Sequence, residues 1–330
     1  MQECVFFLYL CSRMKHIRII SPASAIDAQW IDRAKVRLEQ WGFLVSVGTH
    51  AYGNNGRFAA SDEDRVADLN EALADATVDI ILCSRGGYGL QRIIDRIVLP
   101  QRPKEQWPLV VGFSDITALH SLINLHGVAS LHANMCKDLS LLPDDDVALV
   151  AERNFLLEEH LPSLLSLTSH LLPKTYHPSP HRSTLNSRFA VKSIAMSPLN
   201  RAGEVKGTLI GGNLSVLYGL QGTPYGLNQV IEQCAEAPIL FIEDICENHY
   251  HIDRMLHNLR LSGVFDKIAG LVVGEFTDCK DDPKMGCTLM ESIRQVVEPY
   301  DFPVLFDYPS GHIDSNYPLL LGATYHMVVQ

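Results

Sequence analysis

Two rhythms of apolar and polar positions alternate along the first half of the chain. Mostly apolar runs at 17–20, 43–47, 79–83 and 109–111 have the length and content of buried strands. Between them lie stretches with apolar residues three and four apart. One covers 27–41, with Ile31, Ala34, Val36 and Leu38 on its apolar side. Another covers 61–76, opening on Ser61, Glu63 and Asp64 and lining one face with Val66, Leu69 and Leu73. A further helix is expected after Gly89, through Ile93, Ile94 and Ile97, and one from Ser114-Asp115 through His120 and Ile123. Ser21-Pro22 ends the first strand, and Tyr52-Gly53-Asn54-Asn55-Gly56 reads as a loop. Strand and helix alternating at this spacing predict right-handed βαβ units and a parallel sheet.

The second half has a different texture. Residues 139–172 are Leu-rich and partly helical in pattern, and 173–186, rich in Pro, His and Ser, read as a linker. Strands are expected at 207–212, ending in a glycine turn, at 237–242, closed by Glu243-Asp244, and at 268–273 and 303–306. Helices are expected at 213–220, 250–261 and 288–297, and closing strands at 319–321 and 324–329. The division that follows is a nucleophile-bearing domain over 14–150, a linker over 151–190 and a mixed α/β domain over 191–330. Residues 1–13 read as a dispensable extension or a start-site artefact. Their apolar run is too short to span a bilayer, and no basic residue precedes it as in a secretory signal.

Charge narrows the partners. The formal net charge of −11 over 330 residues excludes sequence-independent nucleic-acid binding, which needs a basic surface. It leaves room for an acidic small substrate in a local basic pocket. The eight cysteines form no CxxC pair and are too dilute for a disulfide framework, so reduced thiols in a cytoplasm are expected. Cys246, His249 and His251 lack a fourth ligand at sensible spacing, and no metal is expected.

The candidate chemistry sits at strand ends. Trp107 to Thr117 reads WPLVVGFSDIT, an apolar run broken by Gly112 before Ser114-Asp115 open a helix. A serine there is held outside the sheet, near free N–H groups and the positive end of the helix dipole, where a nucleophile and a nascent oxyanion are stabilised. The plainer reading is that Ser114 or Asp115 only caps the helix. Glu243-Asp244 and His312 occupy two further strand ends, and a serine needs such a base and such a carboxylate to react at neutral pH. The GxSxG elbow is absent. The Gly-rich turn at 84–89 lacks both the Walker Lys-Ser/Thr and the Rossmann spacing.

Five motifs in this order resemble the LD-carboxypeptidase family, the murein tetrapeptide carboxypeptidases. They are Ser84-Arg85-Gly86-Gly87-Tyr88-Gly89, Gly112-Phe113-Ser114-Asp115-Ile116-Thr117, Gly207-Thr208-Leu209-Ile210-Gly211-Gly212-Asn213-Leu214, Phe241-Ile242-Glu243-Asp244 and Pro309-Ser310-Gly311-His312. The resemblance implies an N-terminal flavodoxin-like parallel-sheet domain and a C-terminal swivelling-type domain. It implies Ser114 as nucleophile, His312 as general base, Glu243 as its orienting acid, and Gly87 and Asp115 N–H groups as the oxyanion hole. Arg85 and Gly86 are the candidates for substrate binding. The implied reaction is hydrolysis of the bond between meso-diaminopimelate and a terminal D-alanine in cytoplasmic wall recycling, by a homodimer, with no cofactor. Where the family often has His-Gly-Pro-Met, this chain reads His132-Ala133-Asn134-Met135, a departure that bears on the pocket near His132. Two other readings stay open: a relative that cleaves another amide, such as an immunity peptidase acting on a peptide-nucleotide antibiotic, and a flavodoxin-like binding module whose Ser114 is only a cap.

Overall fold

The computed structural model describes residues 13–158, 165–168 and 197–330, and among these, twelve strands form two six-stranded sheets. The first holds β1 (His16–Ile20), β2 (Leu44–Val47), β3 (Ile80–Cys83), β4 (Leu109–Gly112) and β5 (Ser130–His132), all parallel, in the order 2-1-3-4-5. That is the flavodoxin-like order, in which ligands bind beyond the carboxyl ends of the strands. The inner strands β3 and β4 are continuous apolar runs because both faces of the sheet are covered there.

Local chemistry accounts for the helix starts. Asp27 accepts from the Gln29 N–H to cap α1 (Ala28–Gln40). Ser61 accepts from Asp64 N–H at the head of α2 (Asp62–Ala74), whose first turn carries three acids that favour the dipole. α1 buries Ile31, Ala34 and Leu38, as expected, but Val36 is 52% exposed. At 100° per residue, position 36 lies about 200° from both 34 and 38 and faces solvent. The helix expected after Gly89 does not form. Two 3-10 turns, Leu90–Arg92 and Ile94–Arg96, stand there instead, and their Ile93 and Ile94 are spent plugging the core. The Asp115 carboxylate takes the Leu90 N–H at 2.9 Å, which pins the segment to the head of α3 (Thr117–Asn124).

After α4 (Cys136–Leu141) and α5 (Val147–Leu157), the chain reaches β6 (Leu165–Thr168). The second sheet runs β10-β9-β8-β7-β12-β6, with β7 (Gly203–Asn213), β8 (Ile239–Ile245), β9 (Gly270–Thr277), β10 (Val304–Leu305) and β12 (Thr324–Val329). Its helices are α6 (Leu214–Gly219), α7 (Leu227–Gln233), α8 (His249–Leu261) and α9 (Leu289–Val296).

Several expectations are corrected here. Residues 165–168, read as part of a partly helical stretch, form an edge strand parallel to β12. Residues 319–321, read as closing the C-terminal domain, form β11 (Leu319–Leu321), which pairs antiparallel with β5 at the edge of the first sheet. All three leucines of β11 are buried, which explains a return strand with no polar face. Glu243 and Asp244 lie within β8 and not after it, and α7 is an element the apolar pattern did not disclose. Residues 1–12 and the linker stretch at 173–186 lie outside the described residues. Arg13 is described, and its guanidinium bonds Asp79 at 2.6 Å.

One buried acid stands out on α5. Glu152 is fully buried, and the polar groups set against its carboxylate are those of Asn134. Burial, with Asp138 and Asp146 nearby and Asn134 opposing, pushes its pKa up to about 8. The folded protein therefore keeps this proton through a window, from the ordinary 4.5 to about 8, in which the unfolded chain has lost it. Stability from this group is full below that window and falls as pH rises through it. Glu152→Gln has no proton to lose, so its thermal midpoint should gain on the wild type between pH 5 and pH 8. A difference independent of pH in thermal denaturation would contradict this assignment.

Candidate active site

Ser114 heads the turn that follows β4, in left-handed backbone with φ 65°. A non-glycine residue rarely sits there, and such strain persists only where surrounding structure imposes it. The imposing contacts are visible. Phe113 is buried behind it, Asp115 anchors Leu90, and Gly86 lies against it so closely that an added Cβ would come within 2.7 Å of Ser114 Cβ and 3.0 Å of Oγ. Only glycine allows that approach. The Gly86 loop is held from its other side by Ser24, whose N–H donates to Gly86 O at 3.2 Å and whose Oγ accepts from Tyr88 N–H at 3.1 Å. This places the loops after β1, β3 and β4 side by side at the carboxyl edge of the sheet.

The second sheet delivers the other partners. Glu243 is fully buried on β8, and its Oε2 lies 2.7 Å from His312 Nδ1. With Nδ1 donating to that carboxylate, Nε2 is the nitrogen left to accept a proton. Burial opposes a charge on His312, but the Glu243 carboxylate, helped by Asp244 and Asp138, outweighs it and the pKa rises above 6.5. Two neighbouring histidines behave otherwise. Burial lowers His120 to about 4, and holds His132 well below its ordinary value. Near Ser114, then, His312 is the imidazole able to take and hold a proton. Its ring packs edge-on against Phe113, the residue before Ser114, at 4.9 Å between centroids. Among the described residues, no hydrogen bond joins the Ser114 hydroxyl to His312. Such contacts commonly tighten only when substrate is bound.

The two halves are stitched by residues whose roles the sequence did not disclose. Thr117 Oγ1, in the turn of Ser114, accepts from Asn213 N–H at 2.9 Å. Asn213 Nδ2 donates to Asp244 Oδ1, and Asp244 Oδ2 accepts from both Ser215 N–H and Ser215 Oγ. Burial and the charge of Glu243 push Asp244 up to about 6. Three of the five sequence motifs thus meet in one contact, which explains why they share a chain.

Arg85 and Gly87 fall differently. Gly87 is exposed on the loop beside Ser24. The Arg85 guanidinium donates to Ala25 O at 2.7 Å and lines an open cleft of about 700 Å³ with Ser24, Asp27, Tyr52, Asn54 and Arg57. The cysteine–histidine group at 246–251 is dispersed. The His249 ring binds Ser292 Oγ and the Asp282 N–H, and His251 faces Glu247.

Family profiles match on both sides of this site. The profile for the LD-carboxypeptidase N-terminal domain covers residues 17–133, and that for the C-terminal domain covers 206–327. A probable murein peptide carboxypeptidase of Bacillus subtilis is 32% identical over 318 residues, spanning 93% of this chain and 86% of that protein. This chain belongs to the LD-carboxypeptidase family. A murein tetrapeptide carboxypeptidase of Pseudomonas aeruginosa is 28% identical, over 91% of this chain and 89% of its own length. Among solved structures, a muramoyltetrapeptide carboxypeptidase from Oxalobacter formigenes superposes with TM-score 0.72 at 26% identity, over 96% of each chain. The microcin C7 self immunity protein MccF superposes with TM-score 0.73 at 19% identity, over 94% of this chain and 92% of its own, a likeness of fold. The two-sheet arrangement is therefore that of LD-carboxypeptidases, and the chain is a serine-type hydrolase of that family. Among the described residues, no helix is long and apolar enough to cross a membrane.

Proposed function

We propose that this LD-carboxypeptidase hydrolyses the bond between meso-diaminopimelate and the terminal D-alanine of murein tetrapeptides, with Ser114, His312 and Glu243 as its triad. The observation that carries this reading is the buried Glu243–His312 pair set against Phe113, beside a strained serine. Ser114 Oγ attacks the scissile carbonyl while His312 Nε2 takes its proton, and Glu243 steadies the imidazolium. The Gly87 and Asp115 N–H groups receive the developing oxyanion. His312 passes the proton to the amine of the departing D-alanine, and a water activated by the same imidazole releases the acyl group.

An exopeptidase must also hold the substrate's carboxylate. Arg85 is the cation on the loop that packs against Ser114, and Gly86 lets that loop approach the nucleophile. The reading extends to a homodimer at work in cytoplasmic wall recycling, as the family resemblance implies. The test is release of D-alanine from disaccharide-free tetrapeptide, measured beside cleavage of an aminoacyl-adenylate analogue. Tetrapeptide should be the better substrate by kcat/KM. Efficient cleavage of the analogue with an inert tetrapeptide would overturn the substrate and leave the triad standing.

A further inference from the structure

The loop that presents His312 is organised around a side chain four residues further on. Asn316 is fully buried, and its Oδ1 accepts from Gly311 N–H at 2.9 Å and from Ser310 Oγ at 3.0 Å. Gly311 adopts φ 131°, and a Cβ there would lie 3.0 Å from Glu243 Oε2. The loop is further tied by Glu275 N–H to Ser310 O and by Tyr317 N–H to Pro309 O. The backbone on which His312 rides is thus fixed by one amide oxygen immediately before the imidazole.

The same asparagine reaches the other half of the molecule. Asn134 Nδ2 donates to Asn316 O at 3.4 Å, and Ser310 Oγ lies 3.4 Å from His132 Nδ1. His132 ends β5 and Asn134 follows it, and β5 pairs with β4 at Gly112↔His132, two residues from Ser114. A short path of bonded groups therefore links the frame of the nucleophile to the frame of the base. It runs through the place where the chain departs from His-Gly-Pro-Met.

We infer that Asn316 is a positioning residue that sets His312 for proton transfer, and that Asn134 locks it to the Ser114-bearing domain. The inference rests on the triad reading above. A misplacement of the imidazole by about 1 Å can cost about 10²-fold in rate. Asn316→Ala should therefore lower kcat on tetrapeptide by roughly 10- to 100-fold with KM within about threefold. It should slow labelling of Ser114 by a fluorophosphonate to match. Asn316→Asp keeps the acceptor oxygen and should recover most of that loss, while its new carboxylate moves the acid limb of kcat/KM to higher pH. Asn134→Ala should act in the same direction with a smaller loss.

Wild-type rates of turnover and labelling in Asn316→Ala would overturn the inference. So would an Asn316→Asp enzyme no better than the alanine variant and with an unmoved acid limb. If Asn316→Ala does not fold, judged by circular dichroism, the Asn134→Ala and Asn316→Asp results decide, and normal behaviour of both would sink the proposal. Labelling separates the two levels. A wild type that takes no label and releases no D-alanine defeats the triad reading and this inference together, whereas a labelled wild type matched by Asn316→Ala defeats this inference alone.

Discussion

Ser114→Ala and His312→Ala should each lower kcat on murein tetrapeptide by at least about 10³-fold, and the double variant should be scarcely worse than either. The expectation follows from the division of labour. Removing the hydroxyl leaves the imidazole with nothing to deprotonate, and removing the imidazole leaves a hydroxyl that stays protonated at neutral pH. Neither change empties the core. Ser114 is only part-buried, and the His312 side chain retains 14% exposure. Folding should survive, and circular dichroism checks it. Fluorophosphonate labelling should vanish in Ser114→Ala and slow sharply in His312→Ala. A full-rate Ser114→Ala enzyme would remove Ser114 from the role of nucleophile, and with no side-chain cap bond at the start of this turn or of α3, it would not make it a helix cap.

The chain disclosed some of this and hid the rest, for physical reasons. The parallel sheet was legible because its inner strands, β3 and β4, are buried on both faces and leave continuous apolar runs. Ser61 and Asp27 were legible as helix starts because capping chemistry is local. The segment after Gly89 misled because Ile93, Ile94 and Ile97 have helical spacing, while a carboxylate 25 residues away, on Asp115, takes the Leu90 N–H. β11 misled because strand pairing is a choice of partner: Leu319–Leu321 reads equally well against either sheet. Val36 shows that apolarity alone does not fix a helix face, since the angular spacing of its neighbours turns it to solvent. The candidate triad residues stand out through motifs, whereas the bonds between the halves join the Thr117 and Asn134 side chains to backbone atoms of Asn213 and Asn316, and of the residues in those bonds only Thr117 and Asn213 lie in motif positions. Charge alone points to Arg85, whereas the fold turns its guanidinium to Ala25 O.

Glu243→Gln tests the electrostatic half of the mechanism while keeping the volume of the side chain. The carboxylate is fully buried and bonded to His312 Nδ1, so the substitution removes a charge from a place where water cannot replace it. Catalysis should fall by about 10²- to 10⁴-fold, since the imidazolium loses its counter-charge and the ring loses the acceptor that sets its tautomer. The pH profile should change with a definite sign. In the wild type the base works when neutral, so kcat/KM climbs as pH rises through a His312 pKa lying above 6.5. With Glu243 neutralised, burial is left opposed only by Asp244 and Asp138, and the acid limb should move to lower pH. Asp244, pushed up to about 6 by burial and by the Glu243 charge, holds Ser215 at the head of α6, and in the variant its own step should also move to lower pH. Thermal midpoints measured at each pH separate that step from the chemical one. A Glu243→Gln enzyme that is slow but keeps the wild-type acid limb would place the raised pKa on another group and remove His312 from the role of base.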